Sequence, residues 1–327
     1  MKNIDYIIVF AGLFILEWLY VKLAQRTGIV DRPNHRTMHS GNIARGGGVI
    51  FPVAYIVYYL WSGSEEAYLL AGLILISVIS YSDDLRSIPG FVRLPLQFLS
   101  VFLMFTQLEV LNEWTWPLAL LSLIISAGIL NAFNFMDGIN GITAVYSASV
   151  LGILAVVQMF IIRFIDTDLI MVMLLSLAVF SFFNFRKKAV CFTGDVGSVS
   201  IGFIITYLIL KLILVTGSFI WVLLLLVYGL DVVITLLQRL KRGDNIFDAH
   251  RLHLFQLIVA NLKLSHLKVS VLFTLVQVAI SSFVIGIYIL APSAQLLFSV
   301  LILALGTGIY LFLKARITGS VWLPEKY

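Results

Sequence analysis

Residues 116–160 read WPLALLSLIISAGILNAFNFMDGINGITAVYSASVLGILAVVQMF, and Asp137 is the only charged side chain in the stretch. A helix needs about 20 apolar residues to cross the hydrocarbon core of a bilayer. The runs 116–133 and 141–162 therefore predict two membrane spans joined by a polar turn. The rest of the chain has the same character. Of its 327 residues, 61% are hydrophobic and 12% charged, and the mean hydropathy is +1.03. Soluble domains carry roughly 45–50% apolar and about 25% charged residues. This surplus of apolar surface excludes a soluble enzyme, a disulfide-stapled secreted domain and a disordered chain. The single cysteine, Cys191, excludes an intrachain disulfide and a Cys-rich metal site. A net charge of +5 belongs, in such a chain, to its loops and does not point to nucleic acid.

Nine further apolar stretches complete a set of eleven predicted spans: 4–24, 47–61, 68–82, 94–110, 168–184, 198–215, 218–237, 268–290 and 293–313 join the two above. The first lacks a small-residue cleavage pattern and reads as a retained span. No internal repeat or soluble domain interrupts the series, so the expected fold is a single all-α polytopic bundle over 1–327. Of the 22 Lys and Arg residues, 19 fall in the loops 22–46, 83–93, 131–141, 185–197 and 238–268 or in the tail from Lys314. The opposite loops are short and carry Glu65, Glu66, Glu109, Glu113, Asp166 and Asp168. By the positive-inside rule the basic loops and the C-terminus are cytoplasmic and the N-terminus lies outside. Every unusual polar motif then falls on the cytoplasmic face.

Asp83 and Asp84 are adjacent at a membrane edge, where two carboxylates need a divalent cation, an arginine or open water to compensate them; a solvated helix end is the simpler reading, an Mg²⁺ site the functional one. Asn131, Asn134, Asp137 and Asn140 recur at a spacing of three and should line a cavity rather than face lipid. In Gly194-Asp195-Val196-Gly197-Ser198, the amides opening a helix favour an anion and Asp195 a cation beside it; Asp195 or Ser198 capping the helix is the simpler reading, and both can hold together. Arg45-Gly46-Gly47-Gly48 would let backbone approach a phosphate, or serve helix packing. Asp231 lies inside a span, with Arg239 as the expected partner; Glu17 and Lys211, also within spans, belong to no motif. In 242–266, Asp248 is placed to cap a short amphipathic helix, and His250, Arg251 and His253 form a cationic cluster suited to pyrophosphate, while His266 stands apart. His35 and His39 read as ordinary loop residues. No third ligand accompanies the histidines, which argues against zinc.

The segments DRPN…RGGG, SDD, NAFNFMDGING, FTGDVGS and DAHRLHLFQ occur in this order over residues 31 to about 256. In them the chain resembles the polyprenyl-phosphate N-acetylhexosamine-1-phosphate transferases (glycosyltransferase family 4), which include phospho-N-acetylmuramoyl-pentapeptide transferase. The resemblance implies ten or eleven spans in a bacterial inner membrane. It also implies a reaction: undecaprenyl phosphate attacks the β-phosphorus of a UDP-N-acetyl sugar, UMP leaves, and a lipid-diphosphate-sugar forms. Mg²⁺ is the implied cofactor, with Mn²⁺ as a substitute. By the same resemblance Asp195 binds the metal, Asp83 and Asp84 serve catalysis and metal or lipid phosphate, and Asn134 and Asp137 sit near the nucleotide. Phe192 stacks on uracil, and His250, Arg251 and His253 engage the diphosphate. Arg45 and Asp231 join the substrate-binding candidates from the readings above, and a homodimer is compatible with them.

The chain departs from the family pattern at Thr37, where a Lys is common, at Ala44, where a Pro is usual, and in HRLH, which replaces a triple-His run. RGGG together with AHRLHLFQ is closer to the branch that starts O-antigen, capsule or other glycans, so UDP-GlcNAc or a related UDP-N-acetyl sugar is expected ahead of UDP-MurNAc-pentapeptide. The lipid phosphate, with a second pKa of about 6, is already largely a dianion, and direct attack with Asp83 as base or orienting group is expected. A lipid or phosphate transporter predicts polar groups through the membrane depth. A CDP-alcohol phosphotransferase requires a DG…AR…G…D…D pattern that this sequence lacks.

Overall fold

The computed structural model describes residues 1–31, 43–245 and 250–319. The chain runs through α1 (Asn3–Thr27), the paired strands β1 (Val30–Asp31) and β2 (Ile43–Ala44), α2 (Ile50–Ser62), α3 (Ala67–Leu85), α4 (Gly90–Gln107), the single turn α5 (Val110–Glu113), α6 (Trp116–Met136), α7 (Ile142–Phe160), α8 (Thr167–Asn184), α9 (Gly194–Thr216), α10 (Leu226–Arg242), α11 (Leu254–Leu262), α12 (His266–Leu290) and α13 (Gln295–Thr318). Among the described residues ten helices are long and apolar enough to cross a membrane, and Gly47–Ser62 is a shorter apolar one. All eleven expected spans are therefore helical. The short one, at 1.5 Å per residue, falls below the hydrocarbon thickness; Ile50, Phe51, Ala54 and Tyr55 are buried, and it packs against α8 and α9.

The centre of the bundle is α9, in which every residue from Val196 to Leu210 is buried. A helix apolar on all sides is stable only with neighbours on all sides, and α2, α3, α6 and α7 supply them. Small residues allow the close approach that replaces the hydrophobic effect inside a bilayer. A side chain at Gly202 would come within 2.9 Å of the Phe133 ring, and the hydroxyls of Ser77 and Ser200 meet at 2.8 Å. At the opposite extreme, only Tyr310 and Lys314 of α13 are buried; the rest of that helix presents Leu, Ile and Phe outward.

Between α9 and α10 the chain forms a 3-10 segment, Phe219–Leu225. Gln277 of α12 satisfies its backbone: the side chain donates to the Leu223 carbonyl at 3.1 Å and accepts from the Val227 amide at 3.0 Å. Freed backbone groups at membrane depth need such partners. At the end opposite the basic loops, Tyr58 donates to Asp166 at 3.1 Å and Tyr55 to Glu66 at 3.1 Å. Tyr207 also donates to Glu66, and the terminal amine pairs with Asp168. The acids of the short loops thus pin helix ends together.

Asp248, expected to cap the amphipathic helix, lies outside the described residues, as do His35 and His39. The helix itself is α11, and its N-cap position is held by His253. The strand pair was not expected. Its β2 also runs beside Cys191, and three backbone hydrogen bonds stitch the two segments: Phe192 N to Ala44 O at 2.8 Å, Gly47 N to Phe192 O at 2.9 Å and Gly48 N to Thr193 O at 2.9 Å.

Candidate active site

At the end of the bundle that carries the basic loops, a cavity of about 960 Å³ opens between the starts of α7 and α9, the end of α10 and the segment before α11. Its wall includes Arg45, Asn134, Asp137, Phe192 and Asp195, together with His250 and Arg251. Seven of the eleven residues proposed for the site from sequence thus share one cavity. Asp83, Asp84, His253 and Asp231 are not on its wall, and the reasons differ.

Asp84 is buried, and its carboxylate occupies the start of α9. It accepts the amides of Asp195 at 2.9 Å and Val196 at 3.0 Å, and the Arg45 guanidinium at 2.7 Å. The anion that these helix-opening amides favour is therefore the protein's own, delivered from α3. This revises the expectation that Asp195 or Ser198 caps the helix; Ser198 instead donates back to the Gly194 carbonyl at 3.1 Å. Asp83 accepts the Ile88 amide at 2.5 Å and Arg93 at 2.7 Å. Asp195 faces both arginines at longer range, Arg45 at 3.7 Å and Arg93 at 3.6 Å. Three carboxylates and two guanidinium groups thus alternate, and Asp195 has the least committed oxygens.

Among the described residues no three His, Cys, Asp or Glu side chains converge as a ready-made metal cage. That arrangement still fits Mg²⁺, which takes hard oxygen from one or two carboxylates and completes its shell with water and phosphate. Asp195, with Asp83 beside it, supplies that donor set.

Asp137 closes the turn between α6 and α7, accepting hydroxyls from Thr143 at 2.6 Å and Thr193 at 2.8 Å. Burial pushes its carboxyl up to about 6, against the pull of those two donors. Asn134 and Asn140 also line the cavity. Asn131 does not, contrary to the spacing argument: its amide donates to Gln97 at 3.0 Å and to the Ala127 carbonyl at 2.8 Å, inside the bundle.

The glycines after Arg45 form no open phosphate cradle. A β-carbon at Gly48 would come within 2.2 Å of the Gly197 Cα, and one at Gly47 within 2.6 Å of the Cys191 sulfur. They pack the start of α2 against the start of α9. Gly46, at φ +79°, makes the turn that brings Arg45 to the cavity.

His250 and Arg251 stand on the wall, but the cluster is not cationic throughout. Burial, reinforced by the positive charge of its neighbours, pulls the His250 imidazole down to about 3. It therefore acts as a neutral hydrogen-bonding group. Positive charge comes instead from Arg251, Arg239 and Arg242, all on the wall. Arg239 is not the partner of Asp231; it lies 3.8 Å from Asp244. His253 is buried, and Asp231 accepts from it behind the wall at 3.1 Å. Neither is placed to touch a ligand in the cavity.

Five contributors to the site were not expected there from sequence. Arg93 was counted only as a basic loop residue, although its position ten residues after Asp83 at a helix start was a signal. Arg239 was expected only as the partner of Asp231, and Arg242 only as a basic loop residue. His266, expected to stand apart, lines the cavity and accepts the Asn140 amide at 3.4 Å. Asn184 ties the walls together, accepting from Gly141 N at 2.7 Å and donating to Cys191 O at 2.8 Å; nothing local in FNF marks it.

The profile described as glycosyl transferase family 4 matches residues 67–213, which run from α3 through α9 and hold all four site aspartates before the long loop. The chain is 25% identical over 223 residues, 63% of its length, to a probable undecaprenyl-phosphate N-acetylglucosaminyl 1-phosphate transferase of Bacillus subtilis, and spans 61% of that protein. It is 26% identical over 280 residues to the undecaprenyl-phosphate alpha-N-acetylglucosaminyl 1-phosphate transferase of Pasteurella multocida, covering 77% of each chain. To the protein of that name from Escherichia coli K12 it is 24% identical over 279 residues, covering 76% of this chain and 75% of the relative. With its aspartates gathered as described and these matches spanning the helices that carry them, the chain is similar to glycosyl transferase family 4 over residues 67–213.

Proposed function

We propose that the protein transfers GlcNAc-1-phosphate, or a related N-acetylhexosamine-1-phosphate, from a UDP-sugar to undecaprenyl phosphate at the cytoplasmic face of a bacterial inner membrane, releasing UMP. The observation that carries this reading is the cavity itself. Its volume of about 960 Å³ is at the upper end of ordinary ligand sites. It sets Asp195 and Arg45 against Arg239, Arg242 and Arg251, and it opens at the end of a bundle whose flanks are apolar. A doubly charged diphosphate needs that mixture of cation and metal-binding carboxylate, and its partner can arrive through the bilayer. The N-terminus then lies outside and the C-terminus in the cytoplasm.

In this reading Phe192 offers an aromatic face to the uracil, and Asn134 with Asp137 meets the nucleotide. Arg251, Arg239 and Arg242 hold the diphosphate, with neutral His250 donating or accepting a hydrogen bond. Mg²⁺, held by Asp195 with Asp83, would supply charge neutralisation. Asp83 orients the lipid phosphate for in-line attack, and no covalent enzyme intermediate is required because that phosphate is already largely dianionic. UMP release is to be measured with undecaprenyl phosphate and a panel of UDP-sugars, with Mg²⁺ and with excess chelator. UDP-GlcNAc or a close N-acetylhexosamine donor should react, and chelator should stop it. Turnover only with UDP-MurNAc-pentapeptide would replace the donor assignment; turnover in chelator would remove the metal.

A further inference from the structure

α13 is the least packed of the long helices, yet its two buried residues, Tyr310 and Lys314, both converge on α10. Tyr310 OH donates to Asp231 Oδ1 at 3.0 Å. Lys314 Nζ donates to Thr235 Oγ1 at 2.9 Å and to Tyr310 OH at 3.1 Å. The same Asp231 oxygen accepts the Leu254 amide at 3.0 Å and faces His253 Nδ1 at 3.1 Å. Asp231, His253 and Lys314 are 1%, 2% and 0% exposed, so a buried acid and a buried amine face each other across two hydroxyls. Charges at such depth persist only when paired or hydrogen-bonded. A carboxylate can only accept, so Nδ1 of His253 carries the proton and its tautomer is fixed. His253 in turn adjoins the wall: its ring lies 4.9 Å from that of His250, and His250 and Arg251 line the cavity.

We propose that Tyr310 and Lys314 of the last helix, acting through Asp231, clamp His253 and thereby set the position of His250 and Arg251 against the substrate diphosphate. All four are positioning residues, His253 included. The inference rests on the transferase reading for its kinetic readout, while a second readout does not.

The test turns on one ring nitrogen. In His253→Asn the amide NH₂ replaces Nδ1–H and can still reach Asp231; in His253→Gln it mimics Nε2 instead. If His253 serves only as the clamp, His253→Asn keeps kcat/KM within about threefold of the parent. His253→Gln and Lys314→Met should lose roughly 10- to 100-fold, by analogy with the loss when the carboxylate behind a metal-bound imidazole is removed, mainly through a raised KM for the UDP-sugar. Equal impairment of the Asn and Gln variants, or parental kinetics in His253→Gln, overturns the clamp. Should Lys314→Met fail to fold, Tyr310→Phe, which removes only the hydroxyl, takes its place with the same expected direction. The second readout is tryptic cleavage after Arg251 in the full chain in detergent. It should be faster in His253→Gln and Lys314→Met than in the parent and His253→Asn, and equal rates overturn the proposal. An inactive parent with the expected cleavage pattern would instead remove the transferase reading and leave the clamp standing.

Discussion

At the scale of single residues, the acids divide by how their oxygens are used. Asp84 spends both on the α9 amides and Arg45, so its first duty is to hold two helices in register. Asp84→Ala should lower thermal stability by about 1–2 kcal/mol, the range of a lost helix cap with some added cost for a stranded guanidinium, and activity should fall with it. Asp195→Ala should behave in the opposite way, abolishing UMP release while leaving the detergent melting temperature close to the parent's. Matched melting and turnover curves for the pair would show whether the division is right. Asp137 offers a pH test. Its carboxyl is raised to about 6 by burial, above an unfolded value near about 3.9. The stability it contributes is therefore complete below about pH 4 and is lost as pH rises through 6. Asp137→Asn removes that dependence, so the parent should lose stability relative to the variant between those values and run parallel to it above them.

At the scale of elements, the site is a junction of helix starts brought together without intervening side chains. The start of α2 crosses the start of α9 backbone against backbone, where a Gly48 β-carbon would lie 2.2 Å from the Gly197 Cα. No rotamer change relieves a clash with backbone. Gly48→Ala should cost about 1–3 kcal/mol, as overpacking does, and distort the wall around Arg45 and Asp195. Gly152→Ala is the control, because nothing lies within 4 Å of its β-carbon position; its melting temperature and activity should stay at the parent's level. A stable, fully active Gly48→Ala would mean that the two helices can part without loss.

At the scale of the whole molecule, the basic residues lie with the cavity and the acidic loops lie at the other end. This predicts the sidedness of labelling. Cys191 is buried, and burial together with Glu17 pushes its thiol well up, so the parent chain should give little background with an impermeant maleimide. Glu65→Cys and Glu113→Cys should label from outside intact cells. Lys263→Cys should label only after the membrane is opened. The reverse pattern would invert the bundle and place the cavity outside.

How far each level was legible follows from the range of the forces involved. Hydropathy is a sum over neighbours in sequence, so eleven helices, their turns and the end that gathers positive charge could all be read from the chain alone. Motif spacing was equally local and brought seven of the eleven proposed residues to one cavity. What only the tertiary structure decided is which partner each polar group meets. The α9 amides could be matched to an anion from sequence, but that the anion is Asp84 depends on α3 lying beside α9. Asp231 could be recognised as a costly acid in a span, yet its neighbours come from residues 253, 254 and 310, far along the chain. Arg93, Arg239 and His266 were hidden for the same reason. In a bilayer a buried charge must find its complement, and the complement's place is fixed by helix packing rather than by position in the sequence.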